Sequence, residues 1–149
     1  MDPRSLTKDF REFLRFLNVH GVEYLVIGGH AVAYHGYPRA TQDLDVWVAV
    51  HEANASRLVK ALREFGFDLP SVTPSLFLQA DRVIRMGVPP NRIEIQTGID
   101  GVEFTECFPR RIATELGGER IFFISIEDLK TNKRASGRNK DLADLDELP

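Results

Sequence analysis

The sequence predicts a single α+β domain over residues 1–149, and three observations support this prediction. First, a chain of 149 residues with 43% hydrophobic and 28% charged side chains can bury one ordinary core. Second, short apolar runs typical of strands alternate with amphipathic stretches typical of helices. Third, no internal repeat, low-complexity segment or linker divides the chain.

The first half of the chain predicts helices and strands in alternation. Residues 6–17 carry apolar side chains at helical spacing, and the apolar run at residues 22–27 predicts a buried strand. A short helix is expected in residues 28–36, followed by a strand at residues 41–50 whose apolar and polar side chains alternate. Residues 51–66 have the clearest amphipathic pattern of the sequence and predict a long helix.

The second half predicts a hairpin, a further strand and two helices. Residues 67–79 and 100–111 indicate isolated helical turns at most. Three strands are expected, of which the first two form a hairpin, at residues 82–88, 91–97 and 120–125. Residues 126–148 predict two helices separated at Gly137, and Ser125 is the expected N-cap of the first.

The composition excludes several classes of protein. The formal net charge is −3, so the chain as a whole is not a basic nucleic-acid-binding protein. A single cysteine, Cys107, excludes an internal disulfide framework and a cysteine-based zinc cluster. No apolar run approaches the roughly 20 residues needed to span a bilayer, and residues 1–10 lack the apolar core of a signal peptide. We therefore expect a cytoplasmic protein with no membrane partner.

Two aspartates stand in the alternating strand at residues 41–50. Asp43 and Asp45 share one face and Leu44 takes the other, because side chains alternate along a strand. Aspartate is a poor strand former and neighbouring like charges repel, so a divalent cation would offset the cost. Carboxylate oxygens at this spacing suit Mg²⁺ or Mn²⁺. The alternative is a solvated strand end without a metal.

A third carboxylate and a glycine pair extend this candidate site. Glu94 lies opposite the apolar face of its strand, and if that strand neighbours the aspartate strand, three carboxylates can hold two Mg²⁺ ions. The alternative is a surface glutamate on an amphipathic strand. Gly28 and Gly29 stand where a buried strand turns into a helix. Such a turn can hold phosphate or can simply connect the two elements.

Residues 130–140 hold five basic side chains and no acid. This local positive charge can neutralise a triphosphate or contact an RNA backbone. The alternatives are a solvated helix face and pairing with the acids that follow, Asp141, Asp144 and Asp146.

Together these segments resemble the nucleotidyltransferase superfamily that includes DNA polymerase beta. The shared pattern is Gly28–Gly29 after an apolar strand, then the segment from Arg39 to Asp45, then Glu94 on a later strand. The chain is also similar to minimal bacterial and archaeal nucleotidyltransferases, including nucleotidyltransferase-like proteins of abortive-infection (toxin–antitoxin) systems. That similarity adds five late positions, Lys133, Arg138, Lys140, Asp141 and Asp144. The resemblance covers about residues 22–145.

The resemblance implies a polymerase beta palm-like fold, with a mixed β-sheet flanked by helices. It implies Mg²⁺- or Mn²⁺-dependent transfer of a nucleoside monophosphate from an NTP to an acceptor hydroxyl, with release of pyrophosphate. Asp43 and Asp45 would hold both metal ions, and Glu94 would hold the ion beside the acceptor. The residues expected to bind the nucleotide are Gly28, Gly29, His30, Arg39, Thr41, Lys133, Arg138 and Lys140. Asp141 is a further acid whose role is open.

As a triphosphate ligand, Lys133 is expected to project toward the glycine pair, and Lys133→Ala is expected to slow transfer while leaving the fold intact. The acceptor is RNA such as tRNA, a protein or a small molecule. Because a helical domain for acceptor selection is lacking, we expect a partner protein, a homodimer or a small acceptor. The biological role as toxin, antitoxin or housekeeping enzyme stays open.

Three other functions compete with nucleotidyl transfer. One is a catalytically silent nucleotide-binding or antitoxin subunit with the same fold, against which the intact acids Asp43, Asp45 and Glu94 argue. Another is a plain interaction domain whose aspartates are solvated. The third is metal-dependent hydrolysis of a phosphodiester.

Overall fold

A computed structural model describes residues 6–149, which form one sheet with helices around it. The strands are β1 (Tyr24–Ile27), β2 (Asp43–Val48), β3 (Val83–Met86), β4 (Arg92–Gln96), β5 (Ile112–Leu116) and β6 (Glu119–Phe123). The helices are α1 (Lys8–Val19), α2 (Gly28–Tyr34), α3 (Glu52–Phe65), α4 (Phe104–Cys107), α5 (Ile126–Ser136) and α6 (Asn139–Glu147). The expectation about a signal peptide falls partly on residues 1–5, which lie outside the described residues. No helix within residues 6–149 is both long and apolar enough to span a bilayer.

The sheet is mixed, as the resemblance implies, and its strands follow the order β3-β4-β2-β1-β6-β5. The central strand β1 is antiparallel to β2 and parallel to β6, while β2 is parallel to β4. Antiparallel hairpins, β3–β4 and β5–β6, form the two edges. The predicted α+β class and the predicted β3–β4 hairpin are therefore confirmed.

The alternation of β2 divides the sheet into a closed face and a partly open one. Leu44 and Val46 are fully buried, whereas Asp43 and Asp45 on the opposite face are only half-buried. Trp47 shares the face of the aspartates, yet it is buried beneath Phe104 of α4, with ring centroids 5.2 Å apart. The polar face is therefore covered at the end of β2 and open at its beginning, where the aspartates lie.

Helices α1 and α3 have the amphipathic character that the sequence predicts. Phe13 of α1 meets Phe65 of α3 edge to face, with ring centroids 5.3 Å apart. The Thr7 hydroxyl caps α1 by accepting the backbone N–H of Phe10 at 3.2 Å. Gly66 ends α3 with a φ of 129°, a conformation that residues with a Cβ rarely adopt. Local signals in the sequence therefore set where α1 begins and where α3 ends.

Strand β5 is absent from the sequence prediction. Its side chains are exposed or half-buried, so it lacks the apolar alternation that reveals β2. Pairing with β6 through a turn at Gly117–Gly118 holds it in place, and both glycines have positive φ, 61° and 82°. That glycine pair is a hairpin signal that the sequence analysis did not use.

Helix α5 begins where it was predicted. The Ser125 hydroxyl accepts the backbone N–H of Asp128 at 3.1 Å and so caps the helix. The Asp128 carboxylate does not return to the cap; it accepts two hydrogen bonds from Arg110, both 3.0 Å long. Only one of the two hydrogen bonds of a capping box is therefore present, because an arginine outside the helix binds the Asp128 carboxylate.

Candidate active site

A cavity of about 540 Å³ opens on the uncovered part of the polar sheet face. All the sequence-predicted site residues except His30 line it. They come from α2 and the segment after it, from β2 and β4, and from α5, α6 and the residues between these two helices. These lining residues are Gly28, Gly29, Arg39, Thr41, Asp43, Asp45, Glu94, Lys133, Arg138, Lys140 and Asp141. The fold thus gathers into one concave surface residues that are more than a hundred positions apart in sequence.

The parallel pairing of β2 with β4 brings the three predicted acids together. Its register sets Asp45 beside Glu94 and Asp43 beside Arg92. Because directly paired residues share a face of the sheet, all three carboxylates point to the same side. The expected placement on one face of adjacent strands is therefore what the structure has.

The glycine turn packs directly against the acids. Gly28 has a φ of 68°, and a Cβ added there would collide with the Asp45 carboxylate. A Cβ on Gly29 would come within 2.8 Å of the Thr41 hydroxyl oxygen. Thr41 itself donates a hydrogen bond to the carbonyl oxygen of Asp43 at 3.2 Å. Both glycines are needed here for close approach, which is a reason beyond making a tight turn.

Two arginines that the sequence analysis did not select neutralise part of this acidic cluster. Arg92 Nη2 lies 2.8 Å from Asp43 Oδ2 and 3.7 Å from Glu94 Oε1. Arg85 Nε on β3 lies 2.9 Å from the same Glu94 oxygen. The alternation of β4 already placed Arg92 on the face of Glu94, so that signal was available. Arg85 becomes a neighbour only through the hairpin register, which sets it opposite Glu94.

Burial and neighbouring negative charges oppose the ionisation of Asp45. Burial, then the hydrogen bond with Glu94 and the charges of Glu94 and Asp43, raise the pKa of Asp45 to about 8. Burial acts to raise the pKa of Glu94 too, but hydrogen bonds from Asp45 and Arg85 outweigh it and lower that pKa. These effects favour a proton on Asp45 rather than on Glu94.

The donor set suits a magnesium ion held together with a substrate. Within residues 6–149 no three acidic, histidine or cysteine side chains are arranged to hold a metal by themselves. Magnesium commonly takes only one or two protein carboxylates and completes its shell with water and substrate phosphates. Asp43 Oδ1 is buried and has no hydrogen-bond partner in this part of the chain, which leaves an oxygen ligand free. Asp43 and Asp45 therefore fit the group that the resemblance implies.

Lys133 reaches the cavity wall, but its amine is already bound. The side chain is buried, and Nζ lies 3.1 Å from Asp144 Oδ2 and 3.3 Å from Asp141 Oδ1. Asp141 also accepts hydrogen bonds from Ser136 and Arg138. Lys133 is thus paired with Asp141 and Asp144, as in the alternative that the basic residues pair with the acids that follow them. The expectation that Lys133→Ala leaves the fold intact stays a prediction, although the change would remove one cation from two buried carboxylates, which keep Arg39 and Arg138 as partners.

His30 does not lie in the cavity, which corrects the expectation for its side chain. The imidazole is 5% exposed and packs edge-on against Phe10, with ring centroids 5.6 Å apart. Burial, then the positive charge of Arg39, lowers the pKa of His30 to about 4. The ring is therefore neutral at pH 7 and is part of the core.

The proton on Asp45 makes stability depend on pH in the metal-free protein. Its pKa is about 8 when folded and 3.8 in a model peptide, so folding takes up a proton between these values. The free energy of unfolding should therefore fall by about 1 kcal/mol as pH rises from about 7 to about 8. Chemical denaturation in a chelator measures this change.

Asp45→Asn is the control for that measurement. It cannot ionise, so it should lack most of the loss, while the contribution of Cys107, whose thiol pKa burial also raises, is common to both proteins. Identical pH dependence in the two proteins would contradict a raised pKa of Asp45.

The buried position of Lys133 gives a second prediction. Lys133→Ala should lower the free energy of unfolding by about 1.5–3 kcal/mol, the usual contribution of a hydrogen bond to a charged group, because Arg39 still binds Asp144 and Arg138 still binds Asp141. Arg134→Ala is the matched control, because Arg134 is the next residue of the same helix and is exposed. Urea unfolding of both variants at pH 7 measures the difference. Equal stability of the two would show that the pairs with Asp141 and Asp144 contribute nothing.

Comparisons with known proteins give structural matches only. No family model matches the sequence, and no curated protein matches it significantly. A "putative nucleotidyltransferase" from Thermotoga maritima has a TM-score of 0.60 and 17% identity, over 92% of this chain and 88% of that one. An antigenic nucleotidyltransferase-like protein from Paracoccidioides brasiliensis has a TM-score of 0.52 and 17% identity, over 95% of this chain and 76% of that one. The chain therefore has the fold of these nucleotidyltransferase-like proteins, as the resemblance in its sequence predicted.

Proposed function

We propose that the protein is a magnesium-dependent nucleotidyltransferase, which moves a nucleoside monophosphate from an NTP to an acceptor hydroxyl. The observation that carries the proposal is the β2–β4 register, which sets Asp45 beside Glu94 on a face whose other wall is the Gly28 turn. The cavity of about 540 Å³ is within the usual size range of small-molecule sites. The nucleotidyltransferase fold of the structural matches supports the same reaction class.

In this proposal the acids of β2 hold the metal. Asp43 and Asp45 would bind Mg²⁺, or Mn²⁺, and Glu94 would join them for a second ion beside the acceptor. When bound, the ions neutralise phosphate charge and stabilise the attacking and leaving oxygens. Asp43 Oδ1 is free within the described residues while Arg92 holds Oδ2. Asp45, however, must lose its proton before it becomes a ligand, so metal binding is expected to release a proton near neutral pH.

The residues of the chain then act on the two substrates. Glu94 lies beside Asp45 on the same face of the sheet and would accept the proton of the acceptor hydroxyl. The acceptor oxygen forms a bond to the α-phosphorus while the bond from that phosphorus to the bridging oxygen breaks, and pyrophosphate leaves. Arg39, Arg138 and Lys140 line the cavity and would balance the charge of the triphosphate. The charge of Lys140 already reaches the acids, since it lowers the pKa of Asp45 against the larger effects that raise it.

The acceptor and the setting are the finer part of the proposal. RNA such as tRNA, a protein hydroxyl and a small molecule are the acceptor classes to be tested, with a toxin–antitoxin system as one setting. A homodimer or a partner protein would supply acceptor contacts beyond this single domain.

A second candidate function is binding of a nucleotide without transfer. It is favoured by the ion pairs of Arg92 and Arg85 with Asp43 and Glu94, which neutralise the acids in the absence of metal. A protein of this kind would bind nucleotide equally well in a chelator.

Labelled substrate distinguishes these two functions. Each α-labelled NTP is incubated with the protein, Mg²⁺ and cellular RNA and protein, and the labelled fraction is identified. We expect transfer from at least one NTP, lost in a chelator and reduced at least about a hundredfold in Asp43→Asn, because the ion ligands act directly on the reacting phosphate. Asp146→Asn, an exposed acid on α6, should transfer like wild type. Nucleotide binding without label transfer in any fraction would leave the second candidate.

Metal binding is tested separately from transfer. Mg²⁺ or Mn²⁺ should raise the Tm of the wild type, because an ion that binds only the folded state stabilises it. Asp45→Asn should lose most of this shift, and Asp146→Asn should keep it. Thermal unfolding with and without the ion measures the effect. Equal shifts in all three proteins would indicate a nonspecific ion effect.

A further inference from the structure

Asp144 lies just behind the cavity and contacts two of its cations. The residue is 4% exposed, and it is not among the residues that line the cavity. Its Oδ2 accepts hydrogen bonds from Arg39 Nη2 at 2.9 Å and from Lys133 Nζ at 3.1 Å. Asp144 therefore cannot touch a ligand in the cavity directly, and any effect on one must pass through these partners.

Arg39 is the partner that needs external support. It lies between α2 and β2 in a segment with neither helix nor strand, although it lines the cavity. Fixing a side chain as long as arginine costs rotamer entropy. A carboxylate that already holds the guanidinium removes part of that cost from ligand binding.

The held guanidinium keeps donors for a ligand. Arg39 Nε is buried and has no hydrogen-bond partner within residues 6–149. Arg39 Nη1 lies 3.5 Å from the position that a Cβ on Gly29 would take, so the group stands beside the glycine turn. Only Nη2 is bound to Asp144. A planar guanidinium carries five N–H groups, so one bound edge leaves others for an anion.

The surrounding charges keep this group attractive to anions. Asp144 shares its single negative charge between Arg39 and Lys133, while Asp141 binds Lys133 and Arg138. Three cations thus face two carboxylates, which leaves one net positive charge at this wall of the cavity. Asp144 orients Arg39 without fully neutralising it.

We propose that Asp144 is a positioning residue, which holds the guanidinium of Arg39 beside the Gly28–Gly29 turn so that it binds the triphosphate of the nucleotide. This inference rests on the proposed function for its ligand, and it assigns Asp144 a role through Arg39 alone. If Asp144 served only to balance Lys133, its loss would change stability and leave the contribution of Arg39 to binding intact.

A double-mutant cycle on Arg39 and Asp144 tests the proposal. The probe is inorganic tripolyphosphate with Mg²⁺, measured by calorimetry, because it lacks the base and avoids the question of NTP preference. Arg39→Met and Asp144→Asn should each weaken binding about tenfold, whereas adding Asp144→Asn to Arg39→Met should weaken it by less than about twofold. Asp146→Asn should bind like wild type. Equal losses on Asp144→Asn in both backgrounds, or no loss in either, would overturn the proposal.

A second pair of variants serves if Asp144→Asn does not fold. Lys133→Met/Asp144→Asn removes one cation with one carboxylate and leaves Asp141 bound to Arg138 and Ser136. In this background Arg39→Met should change the Kd for tripolyphosphate by less than about twofold, because Arg39 is no longer held. A loss as large as in wild type would overturn the proposal.

The outcomes separate this inference from the proposed function. Coupled losses of tripolyphosphate binding without any nucleotidyl transfer would support the role of Asp144 and reject the enzyme. Transfer by a wild type that does not bind tripolyphosphate would support the enzyme and reject the role of Arg39, and with it that of Asp144.

Discussion

The repulsion among Asp43, Asp45 and Glu94 is the constraint around which the open half of the molecule is organised. Parallel pairing of β2 with β4 forces their side chains to one face, and burial removes the water that would screen them. The repulsion is reduced because the raised pKa of Asp45 favours its protonated form. It is also reduced by the guanidinium groups of Arg92 and Arg85, which pair with Asp43 and Glu94. Such an arrangement lowers the free energy of unfolding, because like charges are held close together and partly out of water.

The rest of the sheet keeps this cluster in place and accessible. Leu44 and Val46 anchor β2 in the core between and beside the aspartates, so the acids cannot turn away without exposing apolar surface. Gly28 gives the room that the Asp45 carboxylate occupies, because any side chain there would displace it. Trp47 and Phe104 close the polar face beyond the acids. The cavity is therefore confined to the beginning of β2, where charge rather than apolar contact governs what binds.

Local patterns in the sequence were enough for the elements and the acids. The alternation of β2, the helical spacing of α1 and α3, and the glycine pair after β1 each act over a few residues, and each prediction from them matches the structure. Strand β5 was missed because its side chains are largely exposed, so pairing with β6 rather than burial defines it. Arg85 was missed because only the hairpin register brings it to Glu94.

Two predicted site residues, His30 and Lys133, also have contacts that local sequence patterns do not reveal. His30 follows the glycine pair in sequence, but the turn of α2 carries its ring to Phe10 and away from the cavity. The motif predicted that Lys133 binds the triphosphate; Lys133 does line the cavity, and the packing of α5 against α6 also places its amine beside Asp141 and Asp144. Sequence spacing sets which residues are near a site, while the pairing of buried charges sets which of them remain free to act.

The sheet provides the three predicted acids of the cavity, while the α5–α6 segment and one loop provide most of its cations. The acids come from β2 and β4, whose hydrogen-bonded register holds them rigidly, and Arg92 and Arg85 come from the sheet as well. The other cations of the cavity come from a loop and from α5–α6. Side chains on a sheet keep their spacing when a ligand arrives, whereas long cations on helices and loops keep theirs only if carboxylates hold them. The Asp144 carboxylate holds Arg39 in this way. The same carboxylate also binds Lys133, which connects it to α5. The geometry of the cation-lined side of the cavity is therefore set by how α5 and α6 pack.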